Sequence, residues 1–171
     1  MTAASDVLAT YHSPRRVFRR KLESTGDASS FMHLTVACLL LFVGQLPGLL
    51  RASSETPLEA PLEALAAGRF LGTMIVAPLA LNLVAAVAAQ ILKTVGWNVT
   101  WRQSRVVLFW SLLAVSPWAL PLGLAGTLSS AALGHQIVTI AVFLLFLLLW
   151  MYGLAQAVRQ PSNQQTSIGI D

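Results

Sequence analysis

The sequence predicts an all-α, polytopic membrane protein with four transmembrane helices, an N-terminal amphipathic interfacial helix, and both termini in the cytoplasm. Three observations predict it. The chain is 56% hydrophobic and only 11% charged, whereas about a quarter of a soluble domain's residues carry charge. Three long stretches lack Asp, Glu, Lys and Arg altogether, and the last is long enough for two spans. The basic residues that remain lie beside those stretches and are shared unequally between their two sides.

Residues 1–30 form a basic polar lead. Ser13-Pro14 sets an N-cap residue before a proline at the first helical position, where the missing N–H costs nothing, and predicts a helix to about Ser24. Val17, Phe18 and Leu22 share one face of it, with Arg15, Arg16, Arg19 and Arg20 on the flanks and Lys21 beside them. That pattern suits a helix in the headgroup region, where each basic residue near an anionic surface contributes ~1 kcal/mol. Basic residues ahead of an apolar run also suit a signal peptide. Here the run ends in Gly44-Gln-Leu-Pro-Gly48 without a small-residue cleavage site, which predicts an uncleaved first span.

The membrane domain covers residues 31–158, with spans at about 31–50, 70–92, 106–128 and 136–158. The first has the roughly 20 residues a bilayer crossing needs, with Gln45, Pro47 and Gly48 marking its far end. In the second, Pro78 removes a donor and predicts a kink at Met74–Pro78. Asn82, one turn on, is expected to hydrogen-bond a neighbouring helix, while Gly68-x-x-x-Gly72 and Ala85-x-x-x-Ala89 offer small faces for close helix contact. From Val106 to Val158 there are 53 uncharged residues. As one helix they would reach ~80 Å, against a bilayer core of ~30 Å, so the run must fold back, and the turn is expected at Gly126–Gly134. Pro117 and Pro121 lie one turn apart in the third span and predict a kink, with Ser116 or a neighbouring helix restoring the lost bonding.

Two connections differ in character. Arg51–Arg69 carries a small repeat, Pro57-Leu-Glu-Ala-Pro61-Leu-Glu-Ala, whose Glu55, Glu59 and Glu63 would form a solvated acidic face on a helix. Lys93–Arg105 carries Lys93, Arg102 and Arg105 with Trp97 and Trp101, the composition of a membrane-border loop with its aromatic belt. Its Asn98-Val-Thr100 sequon matters only in a secretory lumen. Nine Lys and Arg residues then lie on the side of the N-terminus, this loop and Arg159, against Arg51 and Arg69 on the other. The positive-inside rule puts the first side in the cytoplasm and the protein in the inner (plasma) membrane. The Gln-, Ser- and Thr-rich tail 159–171 is expected to be disordered.

Function classes narrow accordingly. The spans hold no carboxylate or arginine, and His12, His33, His135 and Cys38 share no local ligand spacing, so neither catalysis nor a metal or other cofactor is expected. Cys38 reads as a packed thiol. The net charge of +4 sits beside apolar runs rather than on a polar face, pointing to anionic lipids and not to nucleic acid. Arg15, Arg16, Arg19, Arg20, Lys21, Lys93, Trp97, Trp101, Arg102 and Arg105 are the expected lipid or partner contacts, and Pro78, Asn82, Pro117, Pro121, Gly68 and Gly72 the kink and packing positions. A binding or scaffold protein, an accessory subunit of a larger membrane complex, and a passage for neutral lipid or small solutes all remain open.

Ala9–Arg20 (ATYHSPRRVFRR), the first span ending in Gln45-Leu-Pro47, and Trp101–Pro117 (WRQSRVVLFWSLLAVSP) resemble the bacterial branch of the Ypt-interacting (Yip) family of small multispanning membrane proteins. The resemblance implies a membrane fold with a basic lead and an aromatic, arginine-containing loop before a proline-ended helix. Eukaryotic members usually have five spans and an Asp-Leu-Tyr-Gly-Pro element, which this chain lacks, so their GTPase link is not carried over.

Overall fold

The structure, a computed structural model, describes residues 3–24, 26–55, 61–128 and 132–159. The middle of the Glu55–Glu63 acidic stripe, part of the Gly126–Gly134 turn and the tail beyond Arg159 lie outside the described residues. What is described is helical: α1 (Ala3–His12), α2 (Pro14–Ser24), α3 (Asp27–Glu55), α4 (Leu62–Leu71), α5 (Ala77–Thr94), α6 (Trp101–Val115), α7 (Ala119–Leu128) and α8 (Ala132–Val158). A π-turn, Gly72–Val76, joins α4 to α5, and a 3-10 turn, Ser116–Trp118, joins α6 to α7. Four stretches are long and apolar enough to cross a membrane: Asp27–Ser53, Leu62–Thr94, Trp101–Thr127 and Leu133–Val158.

The third span is the axis of the bundle. In its most apolar 18-residue stretch 56% is buried inside the protein, against 33%, 11% and 17% in the matching stretches of the first, second and fourth. Leu108 and Phe109 of α6 pack with Leu34 and Cys38 of α3 and Ala85 of α5, while Ala114 and Val115 pack with Leu149 of α8. Because lipid tails are as apolar as leucine, such contacts hold through close packing and hydrogen bonds rather than through apolarity. One such bond runs from the Ser104 hydroxyl to the Ala85 carbonyl, 2.8 Å across the α5–α6 contact. Ala85 and Ala89 are both buried, as their small side chains allow.

The first two spans extend beyond both predicted ends, and the third and fourth begin earlier than predicted. Pro47 does not terminate the first; α3 runs through it to Glu55. Proline forfeits only its own N–H, and the last turns gain other partners. Leu49 is buried, and the Arg51 guanidinium donates to the carbonyls of Gly126 (3.2 Å) and Thr127 (2.6 Å) at the C-terminal end of α7. Carbonyls in the last turn of a helix sit at the negative end of its dipole, where an arginine is a natural cap.

Each proline break is absorbed locally. Before Pro78 the ladder widens, and the Ala77 N–H reaches the Gly72 carbonyl five residues back; a π-turn is one way a helix accommodates such an insertion. Asn82 does not reach another helix: its amide donates to the Pro78 carbonyl at 2.9 Å in its own helix. At Pro117 the carbonyl that loses its donor is that of Leu113, and the Ser116 hydroxyl supplies one at 3.0 Å. Pro121 lies in the first turn of α7, where a missing N–H costs little.

The close helix contact lies elsewhere than at Gly68 and Gly72, both of which have open space beside them. It lies between Gly44 of α3 and Ala119 and Gly123 of α7. A Cβ built on Gly44 would come within 2.6 Å of the Ala119 carbonyl oxygen, and one on Gly123 would overlap the Gly44 carbonyl.

Candidate functional site

Local chemistry builds one basic end of the bundle. At the end of α5, Gly96 adopts φ +88°, the left-handed conformation glycine enters without strain. Its N–H then bonds the Lys93 carbonyl and the Trp97 N–H bonds the Leu92 carbonyl, closing the helix in a Schellman motif. Four residues later Thr100 opens α6 through a capping box: its hydroxyl accepts from the Gln103 N–H while the Gln103 side chain accepts from the Thr100 N–H. Between these two devices Val99 turns inward and is fully buried. It belongs to the buried cluster that also holds Val17 and Phe18 of α2 and Ala157 of α8, which ties α2, the α5–α6 turn and α8 together.

The apolar face of α2 is thus occupied by protein rather than offered to lipid, which corrects the sequence expectation for Val17 and Phe18. A Cβ on Gly153 would meet Val107 and Phe18, so the absence of a side chain there lets α2 lie close to α8. The helix itself forms where Ser13-Pro14 predicts it.

The ten predicted contact residues divide into two groups. Arg15, Arg16, Arg19, Lys93, Trp97, Trp101 and Arg102 are exposed, as is Arg159. Lys21 and Arg105 turn inward instead, and Arg20, half-exposed, reaches back to an acid. The Lys21 ammonium lies 3.1 Å from Asp6 Oδ2 and 4.1 Å from the centroid of the Trp110 ring, and Arg20 pairs with the other Asp6 oxygen. Burial alone would raise the Asp6 carboxyl, but hydrogen bonds and charge from Lys21 and Arg20 outweigh it and hold the group below its ordinary 3.8. Trp110 Nε1 donates to the Thr10 hydroxyl at 3.2 Å, and the edge of His33 meets the same indole at 5.1 Å. Neither Asp6 nor α1 is signalled in the sequence, because one acidic residue in a short polar segment has no periodicity to reveal it.

Arg105 occupies a second polar niche, at the start of the third span. Its guanidinium lies over the rings of Phe31 (4.9 Å), Trp101 (5.4 Å) and Phe109 (6.0 Å). Asp27 Oδ1 sits 3.5 Å from Arg105 Nη2 and 3.9 Å from Arg102 Nε. The Nε and Nη2 atoms of Arg105 are buried and make no hydrogen bond. Among the described residues, no three His, Cys, Asp or Glu side chains are placed to hold a metal ion.

No family model, curated protein or solved structure matches this chain. The assignment that stands is therefore architectural: a multi-pass α-helical membrane protein with four candidate spans.

Proposed function

We propose that this is a non-catalytic membrane scaffold of Yip type, in the inner membrane with both termini cytoplasmic, whose basic end gathers anionic lipid. The observation that carries this reading is that Val17 and Phe18 of the basic helix α2 share one buried cluster with Val99 of the α5–α6 turn and Ala157 of α8, while Arg15, Arg16, Arg19, Lys93, Arg102 and Arg159 of the same segments stay exposed. Basic residues that are distant in sequence then act on one membrane surface, each contributing ~1 kcal/mol there. The resemblance of Ala9–Arg20 and Trp101–Pro117 to the Yip family supports the same architecture. The test is the lipid composition of polymer-excised nanodiscs containing the full chain. Enrichment in anionic lipid that falls when Arg15, Arg16 and Arg19 are changed to Gln is the expected result; unchanged composition discards the reading. A reporter after Asp171 that is active only outside the cytoplasm discards the orientation.

A second reading, an accessory subunit, draws on the second span. Its most apolar stretch is only 11% buried, and it has open space at Gly68 and Gly72, room for a partner helix. Mild extraction that yields a partner in near-equal amount, lost with Gly68→Leu and Gly72→Leu, selects it.

A further inference from the structure

We propose that Arg105 and Arg102 form a binding site for the phosphate of an anionic phospholipid, and that Asp27 occupies this site when the lipid is absent. This deepens the scaffold reading by naming one bound molecule, and it rests on that reading for its setting in the membrane.

Nε and Nη2 form the side-on edge of a guanidinium, the pair of donors that grips two oxygens of a carboxylate or phosphate at once. In Arg105 both atoms are buried and neither makes a hydrogen bond, which leaves two charged donors unsatisfied among the rings of Phe31, Trp101 and Phe109. Asp27 is the neighbouring acid, yet its Oδ1 stays 3.5 Å from Nη2, beyond the ~2.7–2.9 Å of a charge-assisted hydrogen bond. One carboxylate oxygen faces both guanidinium groups, and it satisfies neither donor of the Arg105 edge. A phosphodiester carries one negative charge and two free oxygens, which match the two unsatisfied donors of the Arg105 edge.

The surroundings select a lipid. Arg105 lies four residues beyond Trp101, about 6 Å along the helix from the start of the third span, a depth suited to a headgroup. Phe31 and Trp101, which flank the guanidinium, are 45% and 53% exposed. They form an apolar rim that can part for an acyl-linked glycerol and has nothing to offer a soluble ion. Asp27 has a side chain 65% exposed, so it can swing into water when displaced.

The experiment is native mass spectrometry of the full chain in detergent, titrated with phosphatidylglycerol, phosphatidylcholine and glycerol 3-phosphate. Phosphatidylglycerol is expected to bind one to one and more tightly than phosphatidylcholine. Arg105→Gln should weaken it at least about tenfold, and Arg105→Lys, which keeps the charge but not the side-on edge, should weaken it as well. Asp27→Asn removes the competitor and should tighten it. Circular dichroism confirms that each variant is folded, and if Arg105→Gln is not, Asp27→Asn decides alone. Unchanged affinity in folded Arg105→Gln, or no tightening in Asp27→Asn, overturns the site. Equal binding of glycerol 3-phosphate overturns the lipid assignment in favour of a soluble phosphate. Changing Arg15, Arg16 and Arg19 to Gln separates the two readings: it should lower the general enrichment in anionic lipid and leave the single tightly bound molecule in place.

Discussion

The hydroxyl of Tyr11 donates a hydrogen bond of 2.5 Å to the carbonyl of Ala114, the middle residue of the third span. The Trp118 indole in turn donates to the Tyr11 oxygen at 3.2 Å. Ala114 lies just before the Ser116–Trp118 break, where the α-helical ladder gives way, so α1 supplies a donor to a weakened stretch of the central helix. This bond places Tyr11 about 20 Å along the span from Trp101. The N-terminal helices therefore flank the bundle rather than lying only at its border.

Tyr11→Phe keeps the ring and removes both bonds. We expect it to destabilise the protein by about 1–2 kcal/mol, read as a lower melting temperature in detergent. Hydrogen exchange should quicken in α1 and around Ala114 and stay slow in α5.

The Asp6 pair makes stability depend on acid. Its carboxyl is held below 3.8 in the folded protein, so its contribution is fully present above the ordinary carboxylate range and is lost as pH falls through the lower folded value. Melting temperature should decline below about pH 4. Asp6→Asn should lower stability at pH 7 and flatten this acid limb.

Glycine positions should separate sharply. Gly123→Ala puts a methyl group into the Gly44 carbonyl, and Gly44→Ala puts one 2.6 Å from the Ala119 carbonyl. Backbone on the receiving side cannot yield as a flexible side chain does, so each should cost about 1–3 kcal/mol. Gly48→Ala, with nothing within 4 Å, should be neutral or mildly stabilising. Melting curves of the three variants in one detergent test the contrast.

Arg51→Gln withdraws the charged donor from the Gly126 and Thr127 carbonyls. A loss of about 1–2 kcal/mol is expected, weaker at high salt to the extent that the helix dipole contributes. Exchange should quicken at the C-terminal end of α7.

The sequence by itself determined whatever depends on neighbours within a few residues. Apolar length set the four spans, Ser13-Pro14 the start of α2, and Ser116 the repair of the break at Pro117, because each is a hydrogen bond or a stretch of hydrophobicity closed locally. Tertiary structure decided which face of each helix meets protein. It chose Gly44 and Gly123 over Gly68 and Gly72, joined Arg51 to α7 and Tyr11 to Ala114, and drew Lys21 and Arg105 inward while leaving Arg15, Arg16 and Arg19 outside. The reason lies in the solvent. In water, apolar periodicity marks the buried face of a helix, whereas in a bilayer the faces toward lipid and toward protein are equally apolar. Rotation about the helix axis and depth along it are then settled by close packing and by a few polar contacts between residues far apart in the chain.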